Sequence, residues 1–145
     1  MPETTQNYSN HIRRHAPYLY FLAPAVTVYL AWMIKKFAAA PSFDTLVSML
    51  LAAGLIVMTT LVRTNSLRVQ DRVIRLEEQL RYQRLLPTDL AARASALPLR
   101  FIVALRFASD QELPELAQQT VDGRFAKPDD LKRAIRDWRG DYLRV

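Results

Sequence analysis

The chain has 145 residues, half of them hydrophobic, a formal net charge of +6 and no cysteine. That length suits one ordinary domain, and the lack of cysteine excludes disulfides, thiolate metal sites, iron–sulfur clusters and cysteine nucleophiles. Cut after residues 44 and 86, the net charge divides as +2, +3 and +1, so the surplus sits beside the apolar runs. Anionic lipid is therefore the expected partner of that charge, rather than nucleic acid.

Residues 1–15 form a polar N-terminal segment with Arg13 and Arg14 just ahead of the first apolar run. Residues 16–34 then carry no charge, close to the roughly 20 residues needed to cross a hydrocarbon core of about 30 Å. This is a predicted membrane span. Pro17 suits a first helical turn, whereas Pro24 lies inside and should kink the helix. Tyr18 and Tyr20 at one end and Trp32 at the other fit aromatic interface belts. Ala38, Ala39 and Ala40 look like a signal-peptide cleavage site, but Lys35 and Lys36 separate them from the apolar stretch and a second apolar run follows.

The connection from Lys35 to Asp44 is short enough to fold two spans into an antiparallel hairpin. Pro41 should end the first helix, Ser42 should cap the second, and Asp44 suits the positive end of its dipole. Residues 45–62 again lack any ionisable side chain, and the helix predicted there has no proline to stop it before Leu86. It begins apolar and ends charged. Its charged half, residues 63–86, would extend roughly 36 Å at 1.5 Å per residue. Arg63, Arg68, Arg72 and Arg75 follow the second span and Arg13 and Arg14 precede the first, against Lys35 and Lys36 between them. By the positive-inside rule both termini are cytoplasmic, and these six arginines are candidate lipid-headgroup contacts.

Small residues recur along the spans, at Ala23, Thr27 and Ala31 in the first and at Ser48, Ala52 and Gly54 in the second. Such faces seat the spans either on each other or on a larger membrane protein. Neither span carries an Asp, Glu, Lys, Arg or His, so an ion path has no residues to run on.

Beyond Arg63 the apolar spacing links Val69, Val73, Leu76 and Leu80, and runs back through Ser66 to Val62. With Val62, Val69 and Leu76 at d and Ser66, Val73 and Leu80 at a, the seam covers under three heptads. Three occupants fit it: the C-terminal part of the same chain, another subunit, or a second copy. Asp71 with Arg75 and Glu77 with Arg81 are expected i,i+4 pairs.

Residues 87–145 are punctuated by prolines and read as a small helical module. Thr88 should cap a helix to about Ala96, Pro98 should open another over residues 99–107, and Ser109 with Glu112 forms a capping box before Leu113–Val121. Residues 99–107 have strand-like composition, but a lone strand would lack a partner. A last helix is expected from Pro128 to Gly140. Phe101, Phe107, Phe125, Trp138 and Tyr142 should form the core of this module or its seat against the long helix. At 59 residues it is marginal as a free-standing fold.

Residues 67–81, 85–90, 105–116 and 135–145, with the opening 6–11, resemble a family of small two-span bacterial membrane proteins of unknown function. The likeness covers nearly the whole chain. It implies an all-α protein of the bacterial inner membrane and carries over no activity and no site residues.

Chemistry-bearing residues are sparse. His11 and His15 stand at i,i+4, a spacing that on a helix aims both imidazoles one way, as metal ligation needs. Pro17 disfavours that helix and no carboxylate or cysteine completes the set, so they read as interfacial or partner-contacting side chains. Lys132, Arg133, Arg136 and Arg139 on a short helix superficially suggest a DNA-reading helix, but Asp129, Asp130, Asp137 and Asp141 interleave with them and cancel the basic surface. Gly54, Gly123 and Gly140 build no phosphate loop, and no nucleophile stands with a base. The expectation is a non-catalytic membrane scaffold or accessory subunit, without cofactor, that presents a helix and a small module for docking. Two alternatives remain: a tethered module that binds nucleic acid or a soluble protein, and a homodimer joined along the 62–83 seam.

Overall fold

The computed structural model describes residues 6–10 and 15–141. Among them every regular element is helical: a π-helical turn over Pro17–Leu22, then α1 (Ala23–Ala39), α2 (Phe43–Leu85), α3 (Thr88–Ser95), α4 (Leu99–Leu105), α5 (Leu113–Val121) and α6 (Pro128–Ala134). The first helical stretch, Pro17–Ala39, spans 23 residues and α2 spans 43; both are long and apolar enough to cross a membrane. The described residues divide into two compact units, 15–67 and 68–141 with 6–10, and α2 runs through both.

In the first unit the distortion expected at Pro24 is taken up just upstream. The N–H of Ala23 bonds the carbonyl of Tyr18, an i to i−5 bond that widens the turn before a proline that has no N–H to give. The helix then runs on through Lys35 and Lys36 to Ala39, five residues beyond the predicted span end at Ile34. Lysine and alanine are strong helix formers, and a charge that ends an apolar run does not end a helix. Both lysines lie over the Trp32 ring, each 5.9 Å from its centroid. Ser42 caps α2 as expected: its Oγ accepts the Thr45 N–H at 3.2 Å while Thr45 Oγ1 accepts the Ser42 N–H at 3.0 Å.

The second unit is built around one apolar core. Tyr82 near the end of α2 and Leu86 just after it join Leu90, Ala94, Phe101, Leu105, Phe107, Leu113, Leu116, Ala117 and Leu131 in it. The module therefore takes part of its core from the long helix, which compensates for its small size. Phe107 is buried, Phe125 and Trp138 pack on the core's edge, and the Phe107 and Trp138 rings stand 5.1 Å apart; Tyr142 lies outside the described residues. α5 ends in a Schellman motif: Gly123, at φ 78°, donates to Thr120 O and Arg124 to Gln119 O.

Two expectations for the module need correction. The last helix stops at Ala134, short of Gly140, because Ile135 turns extended and buries its side chain. The chain then lies antiparallel to residues 107–109, with Arg139 N–H donating to Phe107 O at 2.8 Å and Ser109 N–H to Asp137 O at 3.1 Å. That returning segment also opens the capping box. Ser109 Oγ accepts the Glu112 N–H at 3.4 Å, but Glu112 Oε2 accepts the N–H groups of Arg136 and Asp137, both at 3.1 Å, instead of reaching back to Ser109. The N-terminal segment is tied to the same edge: the Gln6 side-chain amide exchanges two hydrogen bonds with the Asp141 backbone, and Arg133 sits over the Tyr8 ring at 5.2 Å.

Candidate docking surface

Along the second unit α2 shows two unlike faces. One, Ile74, Glu78, Arg81 and Tyr82, is buried. Its helical spacing is that of an ordinary core-facing stripe, with charged residues at two of the four places. Arg81 is the hub. Its Nη2 donates to Ala108 O at 2.7 Å and its Nε to Asp110 Oδ1 at 2.8 Å, while its Nη1 lies 3.3 Å from Glu78 Oε2. Glu78 also receives Arg139 Nη1 at 3.6 Å, and Arg106 Nη1 pairs with Asp141 Oδ2 at 3.2 Å nearby. Burial holds the Glu78 carboxyl above its ordinary range, outweighing the attraction of Arg81, Arg139 and Arg106. Burial likewise pushes the Tyr82 phenol up, helped by the Glu78 charge, so the ring stays neutral.

These residues overturn one expectation. Arg81 does not pair with Glu77 on the surface but turns inward to Glu78, Asp110 and Ala108, because the module supplies a carbonyl and a carboxylate in fixed positions. Sequence reading missed Glu78, Arg81, Arg106 and Asp110 as a set. The available signal was positional: Glu78 and Arg81 share a helix face with Ile74 and Tyr82.

The other face is the predicted seam. Val69, Val73, Leu76 and Leu80 are 60, 47, 61 and 61% exposed. Taking the second unit by itself, they lie across α2 from the buried face, so the C-terminal module does not cover them. That removes one of the seam's three expected occupants. Arg72 and Glu77 flank the stripe, both exposed, and among the described residues neither makes a salt bridge. The row is thus an uncovered apolar stripe outside the helix's apolar segment, which makes it the candidate docking surface.

The remaining candidates fall elsewhere. His11, Arg13 and Arg14 lie outside the described residues. His15 is exposed, and among the described residues no group of three or more His, Cys, Asp or Glu side chains is placed to hold a metal. Arg63 is half-buried with its guanidinium 5.9 Å from the centre of the Tyr18 ring, while Arg68, Arg72 and Arg75 are exposed. In the first unit Thr27 and Ala31 are exposed and Ala23 is half-buried. The covered row on α1 is instead Ala23, Val26, Leu30, Met33 and Phe37. On α2 it is Thr45, Met49, Ala52, Ile56 and Thr59, with Ser48 half-buried beside it and Gly54 exposed. The small residues at Thr27, Ala31 and Gly54 thus point away from the covered rows. On α6, Lys132 pairs with Asp129, Arg133 covers Tyr8, and beyond it Arg139 reaches Glu78, so much of the basic set is engaged within the chain.

The geometry defines an all-helical protein with two helices fit to span a membrane and a helical module built on the end of the second. The chain belongs to a family of unknown function (DUF6526), whose model matches residues 1–145. No curated protein and no solved structure matches it.

Proposed function

We propose that this chain is a membrane-anchored, non-catalytic scaffold: a two-span hairpin in a bacterial inner membrane whose cytoplasmic helix and module dock other protein. The observation that carries the reading is the exposed row Val69, Val73, Leu76 and Leu80 on a helix continuous with an apolar segment fit to span a membrane. Support for the anchor comes from the first unit, where Phe21, Leu50, Leu51, Met58 and Leu61 are more than half exposed, an arrangement suited to lipid contact and costly in water. Arg63, Arg68, Arg72 and Arg75 beyond the second span, against Lys35 and Lys36 between the spans, favour a cytoplasmic module. Membrane lipid is one partner of this chain; protein seated on the seam is the other.

The test is extraction of the full chain from its own membrane in mild detergent, followed by size-exclusion chromatography and mass spectrometry. The chain should elute in an assembly larger than a monomer, and a Val73→Asp/Leu80→Asp variant should leave that assembly. A wild-type chain that elutes as a lone monomer overturns the docking reading.

A further inference from the structure

The seam's charges, with its apolar spacing, identify the occupant. We propose that the stripe Val69–Leu80 of α2 seats the same stripe of a second copy of this chain, the two helices running parallel; the proposal rests on the docking reading and names its partner. With Val69 and Leu76 at d and Val73 and Leu80 at a, Arg72 occupies a g position and Glu77 the following e position. In a parallel pair in register, g of one helix meets the next e of the other, so Arg72 of each chain meets Glu77 of its partner, twice by symmetry. The neighbouring g–e meetings are Asn65 with Gln70 and Gln79 with Arg84, which place no like charges together. Both members of the charged pair are exposed and without a salt bridge within the described residues of their own chain, as side chains held for an intermolecular contact would be.

Parallel orientation follows from the anchor. Two copies inserted with the same topology send α2 out of the membrane on the same side and in the same sense, so the in-register parallel pairing is the one the bilayer imposes. The face opposite the seam is already taken, because Ile74, Glu78, Arg81 and Tyr82 hold the module. A dimer through the seam therefore asks nothing of the module's own packing.

The absence of native cysteine makes the experiment clean. The full chain is expressed by itself, placed in lipid nanodiscs or mild detergent, and carries one cysteine at a time: Val73→Cys, Leu76→Cys, Leu80→Cys, or Arg75→Cys off the seam. Oxidation should give dimers at 73, 76 and 80 and several-fold fewer at 75. In the Leu80→Cys background, Arg72→Glu and Glu77→Arg should each lower the dimer yield several-fold, and the two together should restore it, since only a copy of the same chain carries the compensating change. Circular dichroism on each variant separates loss of pairing from loss of fold. Equal yields at 75 and at the seam, or a double swap that fails to restore the yield, overturns the second-copy assignment. If that happens while the native assembly persists and still depends on Val73 and Leu80, a different protein occupies the seam and the docking reading stands. If the native assembly is also missing, both fall.

Discussion

Arg81 and Glu78 show how a charged pair becomes structural. Arg81 satisfies the Ala108 carbonyl and holds Asp110 and Glu78, so its removal leaves the buried Glu78 carboxyl to the longer Arg139 contact and takes the side-chain donor from Ala108 O. Arg81→Met should cost about 3 kcal/mol or more, the usual range for breaking a buried pair from one side, and thermal unfolding of the micelle-bound chain followed by near-ultraviolet dichroism would read it. Glu78 behaves differently. Its folded pKa lies above the ordinary value of 4.5, so the folded state holds that proton more firmly than the unfolded chain does. The stability this contributes is complete below the ordinary value and is lost as pH rises through the raised one. Glu78→Gln should remove that fall, visible as a flatter melting temperature against pH above about 4.5, while Arg81 keeps Asp110 and Ala108. A Glu78→Gln variant with an unchanged pH profile would show that this carboxyl is not the group responsible. None of this was legible from composition. Tallying apolar residues skips Glu78 and Arg81, and their role depends on Ala108 and Asp110, which come from a loop distant in sequence.

At the scale of the element, α2 carries the module's core face and the proposed seam on adjacent positions, and neighbouring residues should answer the same substitution in opposite ways. Val73 is exposed and Ile74 is 5% exposed. Val73→Asp should leave helix content and melting temperature close to wild type while abolishing assembly. Ile74→Asp should destabilise the module by placing an unpaired charge against its core. If Val73→Asp instead unfolds the chain, the seam is part of the fold and not a surface. The helix boundaries separate what local chemistry decides from what packing decides. The starts of α3, α4 and α5 were legible because Pro87, Pro98 and Pro114 act within a turn of themselves, although the cap expected at Thr88 does not form: Pro87 holds the cap position and Thr88 is the first helical residue. The end of α6 was not, because Ile135 leaves the helix to reach a core assembled by other elements. The seam's position was legible from its period, but which side the module would cover was not, since the covered face is half charged.

For the whole molecule, the proposed topology has a direct consequence that its charges set. Keeping Arg63, Arg68, Arg72 and Arg75 on the cytoplasmic side costs less than carrying them across, whereas the connection between the spans has Lys35 and Lys36 to translocate. Residue 40 should therefore face the periplasm and the module the cytoplasm. Ala40 and Gln111 are both exposed, and no native cysteine competes. Ala40→Cys expressed in a bacterial host should react with a membrane-impermeant maleimide once the outer membrane is made permeable. Gln111→Cys should react only after the inner membrane is broken. Labelling of both before that step would mean that the apolar helices do not cross the bilayer, and labelling of residue 111 first would mean that they cross it the other way round. The second outcome would spare the seam, because two copies inverted together still emerge in parallel. The first would remove the physical reason for parallel pairing and leave the Arg72–Glu77 complementarity to carry it by itself.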